Sequence, residues 1–175
     1  MLPLNPPAMV RDVVAACTRA GGRIYLVGGG VRDHLMHRPL KDWDLEVYGL
    51  PAATLERVLG EVGQVNTVGR SFAVFKLRRG RHELDVSLPR RDSKRGPGHK
   101  GIHAEGDPDM TPAEAARRRD LTINALMVDL QSGDLLDLVG GQSDLQAGLL
   151  RAVDEHTFLE DPLRALRVVQ FAARL

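Results

Sequence analysis

A chain of 175 residues with 43% hydrophobic and 27% charged side chains can build one domain with an aliphatic core, or one domain and the start of another. Its net charge of +1 excludes a global field that would gather nucleic acid, so any such attraction must be local. The single cysteine, Cys17, excludes a disulfide framework, and no leader pattern or bilayer-length apolar run is seen, which together indicate a soluble cytoplasmic protein.

Pro6 and Pro7 precede apolar residues at helical spacing over Met9–Ala20, ended by Gly21 and Gly22. Ile24–Val27 reads as a short buried strand, and Gly28, Gly29 and Gly30 turn the chain into a helix reaching about Met36. Pro39 stops that helix. Trp43–Tyr48 reads as a second strand, with Asp44 and Glu46 alternating against Leu45 and Val47, and Pro51 opens a helix to about Leu59. Gly63–Val68, Phe72–Arg78 and His82–Leu88 are extended, the last two joined as a hairpin by Arg79, Gly80 and Arg81. Residues 89–110 are rich in Pro, Gly and basic side chains without apolar periodicity, and read as a long mobile loop. Thr111-Pro112-Ala113-Glu114 combines a capping box with a first-turn proline, starting a helix to about Arg119. Ala125–Asp129 and Asp134–Asp137 read as paired strands, and Gly140 and Gly141 lead into a helix over Gln142–Ala147. Glu160-Asp161-Pro162 opens an amphipathic helix that is still in mid-pattern at Leu175, as at the start of a longer helical region.

Two features carry chemistry. A glycine turn between a strand and a helix, Gly28 to Gly30 followed by Arg32 and Asp33, can present backbone N–H groups to a polyphosphate. A dozen residues on, Asp42 and Asp44 have one residue between them, the strand spacing that puts two carboxylates on one face, where they can share hard divalent cations. Asp85, on a later strand between apolar neighbours, is a candidate third ligand. Taken singly, each has an ordinary explanation: solvated strand carboxylates, a tight turn, a local Arg32–Asp33 ion pair. Their joint occurrence points to nucleotidyl transfer, in which a 3′-hydroxyl attacks the α-phosphorus of a triphosphate and pyrophosphate leaves, with Mg²⁺ as the natural ion.

A third block makes a resemblance plain. Arg117-Arg118-Arg119-Asp120-Leu121-Thr122-Ile123-Asn124-Ala125 resembles the Arg-Arg-Asp-x-Thr-x-Asn-Ala signature of the tRNA nucleotidyltransferase/poly(A) polymerase family, the class II enzymes of the polymerase-β-like superfamily. Other blocks fall in family order. Leu26–Asp33 with Lys41-Asp42-Trp43-Asp44 resembles the catalytic motif. Asp137–Gly141 with Asp144-Leu145 and Leu150–Val153 resembles the hinge motif, and Glu160–Arg167 the nucleotide-recognition motif. The likeness spans residues 24 to 175 and implies an α/β head, a small mixed sheet flanked by helices, over 1–153, with the start of an all-helical neck over 154–175.

By that resemblance Gly28, Gly29 and Arg32 meet the triphosphate, and Asp42 and Asp44 hold Mg²⁺. Arg119, Asp120 and Asn124 belong to the sugar and phosphates of the incoming nucleotide, and Asp161, Arg164 and Arg167 to its recognition. Asp161 and Arg164, three apart on the predicted helix, share a face. An aspartate there accepts from the amino group of cytosine or adenine while an arginine donates to the adjacent ring nitrogen; guanine and uracil present the opposite pattern. Without the resemblance, Asp161 would be read as a helix cap with a first-turn salt bridge. A departure occurs at Gln170, where many relatives carry arginine.

Arg90, Arg91, Lys94, Arg95 and Lys100, with His99, are candidate contacts to tRNA phosphates, or else a solvated tether. A flexible segment at this place in relatives aids the switch to adding A. Expected partners are CTP, ATP and the tRNA 3′ end, with no membrane. The rival readings are an A-adding enzyme, a bacterial poly(A) polymerase, and a nucleotide- or RNA-binding module without turnover. Family members usually continue into further helical regions that grip tRNA, so the 175 residues alone are expected to bind nucleotide weakly and elongate tRNA poorly.

Overall fold

The computed structural model describes residues 3–68, 74–94 and 102–175. In chain order these form α1 (Ala8–Arg19), β1 (Arg23–Val27), α2 (Gly29–Leu35), β2 (Asp44–Tyr48), α3 (Ala52–Gly60), β3 (Gln64–Val68), β4 (Val74–Arg79) and β5 (His82–Ser87). There follow β6 (Arg90–Lys94), β7 (Ile102–Gly106), α4 (Pro112–Arg117), a 3-10 turn (Thr122–Asn124), β8 (Met127–Asp129), β9 (Leu135–Leu136), α5 (Gly141–Gln146), α6 (Glu155–Glu160) and α7 (Leu163–Arg174). Of the extended run expected over Phe72–Arg78, Phe72 and Ala73 lie outside the described residues.

One mixed sheet has the order β3–β4–β5–β2–β1–β8–β9, in which only β2 and β5 run parallel. Strand alternation divides its two faces. On one, Ile24, Leu26, Leu45 and Val47 join Val13, Leu55 and Leu59 from α1 and α3 in the larger core. On the other, Tyr25, Val27 and Tyr48 meet Ala115 and Ala116 of α4. Tyr25 and Tyr48 contact edge to face, centroids 5.1 Å apart. The β4–β5 hairpin closes through Gly80 at φ 61, the left-handed geometry expected there. The capping box at α4 is formed: Thr111 accepts from the Glu114 N–H, and Glu114 from the Thr111 N–H.

Residues 89–110 differ from the expected loop. β6 and β7 pair antiparallel from Arg90↔Gly106 to Lys94↔Ile102. The base of this ribbon is closed by the Asp107 N–H donating to the Pro89 carbonyl at 2.7 Å and by Arg91 donating to the Asp107 carboxylate at 2.7 Å. Ladder and ion pair need no apolar periodicity, so the pattern gave no sign of them.

The C-terminal segment begins with an unanticipated short helix, α6, whose N-cap Asp154 accepts from the Thr157 N–H at 2.7 Å. Phe171 is the buried residue of α7, packed in a third cluster with Leu121 and Ile123, whereas Leu159, Leu166 and Val169 are exposed. Arg167 ties α7 to the head by donating to Asp120 at 2.5 Å. Burial would raise the Asp120 carboxyl, but the Arg167 hydrogen bond and charge, the Leu121 N–H and the Asn124 amide outweigh it and hold it below the usual carboxylate range.

A carboxyl whose folded-state pKa is depressed contributes stability above its unfolded value and loses it as pH falls through the folded one. Asp120→Asn is therefore expected to cost about 1.5–3 kcal/mol near neutral pH. That cost shrinks as pH falls below the ordinary aspartate value of about 3.9; paired urea titrations across the acid range measure it. Gly141 gives a steric test, since a Cβ there would stand 2.3 Å from the Thr122 carbonyl oxygen, whereas one at Gly60 meets nothing within 4 Å. Gly141→Ala is expected to destabilise by about 3 kcal/mol, and Gly60→Ala to stabilise by about 0.4–1 kcal/mol, both read by chemical denaturation.

Candidate active site

Asp44 opens β2, and Asp42 lies two residues earlier in the connecting segment rather than on a strand. The reason is geometric: β1 pairs with β2 only as far as Leu26↔Leu45 and then turns away at Gly28, leaving Asp42 no ladder partner on that side. Both carboxylates nevertheless line one recess of about 310 Å³, with Gly29, Gly30, Arg38 and Lys41. Gly30 brings Asp42 there. A Cβ on Gly30 would stand 3.0 Å from the Asp42 carbonyl oxygen and 2.8 Å from Leu40 Cδ1, so only glycine lets this segment pass so close to the turn.

Asp44 has an edge open to solvent yet sits low among its neighbours. Desolvation pushes its carboxyl pKa up, the charges of Asp85 and Asp42 push it further, and Arg119 counters them. Asp85 is level with Asp44 across the parallel β2–β5 pairing. Its carboxylate, however, accepts from Lys76 at 3.0 Å, and it lines neither recess at the site. Among the described residues no three His, Cys, Asp or Glu side chains are grouped to hold a metal ion.

A second recess, of about 610 Å³, adjoins the first and shares Gly29, Arg32, Asp44 and Arg174 with it. Its other walls include Gly28, Arg119, Asp120 and Asn124 from the head and Asp161, Arg164 and Arg167 from the C-terminal segment. All the nucleotide-site candidates thus meet in one cavity. Asp161 is not on a helix with Arg164: it ends α6, and its carboxylate accepts from the Leu163 N–H at 3.0 Å as α7 begins. The two side chains still border the same space. Arg164 Nη2 donates to the Arg118 carbonyl at 2.9 Å. Arg164 Nη1 and Arg119 Nε are buried without a hydrogen-bond partner among the described residues, an arrangement that a ligand acceptor would satisfy.

Arg32 is more deeply set than the glycine turn suggested. It is 2% exposed, donates to Asp33 at 2.6 Å and to Asn124 Oδ1 at 2.6 Å, and lies over the Phe171 ring. The Asn124 amide in turn donates to Asp120 at 3.2 Å. With α2 only seven residues long, positive charge in the larger recess is carried chiefly by guanidinium groups rather than by the helix.

The basic residues of 89–110 part company. Arg90 borders the larger recess, whereas Arg91 is occupied by Asp107. Lys94 is placed only as a backbone position at the end of β6, and Arg95, His99 and Lys100 lie outside the described residues. The structure also adds residues not selected from sequence. Arg38 and Arg174 border the cavities, and Phe171 carries both Arg32 and Arg167 over its ring. Glu46, two residues past Asp44, is buried at 2% exposure. Its position was readable from the two-residue strand period, and Phe171 follows Arg167 by one helical turn.

Comparison with known proteins agrees with this geometry. Residues 24–151 match the poly(A) polymerase head domain. A multifunctional CCA protein from Vibrio vulnificus is 47% identical over 152 residues, covering 87% of this chain and 35% of its own. Solved structures that resemble the chain include a tRNA-processing enzyme with CTP, 29% identical with a TM-score of 0.70 over 91% of this chain and 40% of that one. A CCA-adding enzyme complex with ATP is 26% identical with a TM-score of 0.76 over 98% and 38%. The chain spans about a third of the length of the curated relatives it matches. From residue 24 to residue 151, a span that takes in both aspartates and the whole mixed sheet but its first residue, this chain belongs to the poly(A) polymerase head-domain family.

Proposed function

We propose that the chain is the catalytic head of a cytoplasmic, template-independent nucleotidyltransferase that adds C, A or both from CTP and ATP to the 3′ end of tRNA. The observation that carries this reading is the shared wall: Asp44 and Gly29 border both an acidic recess and an arginine-lined cavity large enough for a nucleotide. Relatives bearing the CCA name, and solved relatives with CTP and with ATP, support the choice of substrates.

In this reading the 3′-hydroxyl gives up its proton to solvent as its oxygen bonds to the α-phosphorus, the bond from that phosphorus to the α–β bridging oxygen breaks, and pyrophosphate carries the electron pair away. Asp42 and Asp44 fit a divalent cation, because the Asp44 carboxyl, pushed up by desolvation and by the charges of Asp85 and Asp42, gains from a cation that offsets those charges. When bound, that ion, Mg²⁺ by ligand type, supplies charge neutralisation at the reacting phosphate. Arg119 and Arg32 face the phosphates. Asp120 and Asn124, already linked to each other, face the sugar. Asp161 accepts from the exocyclic amino group of cytosine or adenine while Arg164 donates to the neighbouring ring nitrogen. Arg167 fixes α7 against Asp120, and Arg90 closes the cavity from the ribbon. Lys94, Arg95 and Lys100 are assigned to tRNA phosphates.

We place the head at 1–153 and the start of a helical neck at 154–175. The Asp154 cap and the exposed face of Leu159, Leu166 and Val169 support that boundary. Asp42→Asn and Asp44→Asn in the full-length protein are each expected to lower transfer at least about 10³-fold, the several kcal/mol of phosphate charge stabilisation lost with the ion. Incorporation from labelled CTP and ATP into tRNA acceptors lacking one, two or three terminal residues measures it, and generic RNA primers in parallel separate a poly(A) polymerase. Undiminished transfer by Asp44→Asn would rule the proposal out.

A further inference from the structure

Glu46 stands out because a fully buried carboxylate sits where a strand facing a core would carry an apolar side chain. Its Oε1 accepts from the Tyr48 hydroxyl at 2.6 Å. Its Oε2 accepts from Arg118 Nη2 at 3.2 Å and from Arg119 Nη2 at 3.0 Å. The base of this arrangement is rigid. Glu46 lies in β2, between β1 and β5, and pairs across the sheet with Tyr25, whose ring in turn braces Tyr48.

Two arginines adjacent in sequence repel, and an unrestrained pair turns its guanidinium groups apart. Here one carboxylate oxygen accepts from both, so two guanidinium groups that border the larger cavity are held to a common point. Arg119 then reaches past Glu46 towards the glycine turn, where a Cβ on Gly28 would meet its Nη1 at 3.9 Å. Arg118, anchored through its side chain, offers its carbonyl to Arg164. A line of contacts therefore runs from the sheet to the side chain that borders the base end of the cavity.

We infer that Glu46 is a positioning residue of the nucleotide site: its carboxylate, locked by the Tyr48 hydroxyl, orients Arg118 and Arg119 towards the phosphates and, through the Arg118 carbonyl, sets Arg164. Glu46 itself touches no substrate; it acts through the arginines. The inference rests on the nucleotide-site reading given above.

Equilibrium binding of CTP and of UTP to the full-length protein, with thermal melting of each variant, tests it. Glu46→Asp keeps the charge but withdraws it by ~1.5 Å, one bond length along the side chain. It is expected to weaken CTP binding about tenfold, as misplaced binding groups do, and to reduce the preference for CTP over UTP. Tyr48→Phe keeps ring and carboxylate, loses one hydrogen bond, and is expected to weaken CTP binding about threefold, with the same narrowing of preference. Glu46→Gln leaves two guanidinium groups against a neutral amide and is expected to lose more; should it not fold, the other two variants carry the test. Lowered melting temperatures with affinity and preference unchanged in Glu46→Asp and Tyr48→Phe would overturn the inference. Failure of the unaltered protein to bind CTP or ATP would instead overturn the nucleotide-site reading.

Discussion

The structure is governed by the problem of holding many like charges together around one cavity. Arg32, Arg90, Arg118, Arg119, Arg164, Arg167 and Arg174 all border one cavity. Two unit charges about 6 Å apart repel by about 3 kcal/mol at an effective dielectric of 20, so such a gathering is unstable unless carboxylates are interleaved. The fold interleaves them. Glu46 takes Arg118 and Arg119, Asp120 takes Arg167, and Asp33 takes Arg32 on one oxygen and faces Arg174 at 3.6 Å from the other. Each of these acids is buried or half-buried, and each is shared or supported by further donors. Burying a charge is tolerable only on those terms.

The sheet makes this interleaving possible by keeping its two faces chemically separate. The face towards α1 and α3 is apolar, and it holds β1, β2 and β5 in fixed register. The opposite face carries Asp44, Glu46 and Tyr48 in sequence along one strand, so an acidic pair at the rim grades into a hydrogen-bonded floor. Because Tyr48 is buried beside Glu46, burial and that carboxylate's charge and hydrogen bond push the phenol pKa far up, and it remains a donor. Asp44 and Glu46 thus differ in role through position alone. The first is at the open end of β2, the second under Arg118 and Arg119.

Much of this was legible from the residues. The order of strands and helices up to Ser87, the glycine turn, the capping box at Thr111 and the convergence of Arg119, Asp120 and Asn124 follow from periodicity, turn residues and motif order. What was not legible has a common cause. The β6–β7 ribbon is held by backbone pairing and by Arg91 with Asp107, neither of which leaves an apolar period. Asp42 missed its expected strand because β1 ends at the glycine turn, a fact of pairing rather than of propensity. Asp85 has the right register beside Asp44 but is drawn to Lys76, its neighbour across the β4–β5 hairpin. The burial of Arg32 depended on where Phe171 docks, and long-range packing of that kind has no local signature.

Phe171 makes the last step in the physical argument. α7 contributes one buried side chain to the head, too little apolar contact to hold a helix of twelve residues by itself. Val168 packs half-buried against the same cluster, and the other ties are polar: Arg167 to Asp120, Arg174 to Asp33 and Arg164 to the Arg118 carbonyl, with Arg167 and Arg32 both lying over the Phe171 ring. These are guanidinium groups that border the larger cavity, so under the proposed function a polyphosphate entering it competes with Asp33 and Asp120 for the same donors. On that reading occupancy of the cavity and the seating of α7 are linked, and the coupling is reciprocal: ligand favours or opposes the seated helix by the same factor by which seating raises or lowers affinity. An aliphatic interface would have fixed the helix independently of ligand. Guanidinium groups over one aromatic ring instead tie the seating of α7 to the charge state of the cavity it borders.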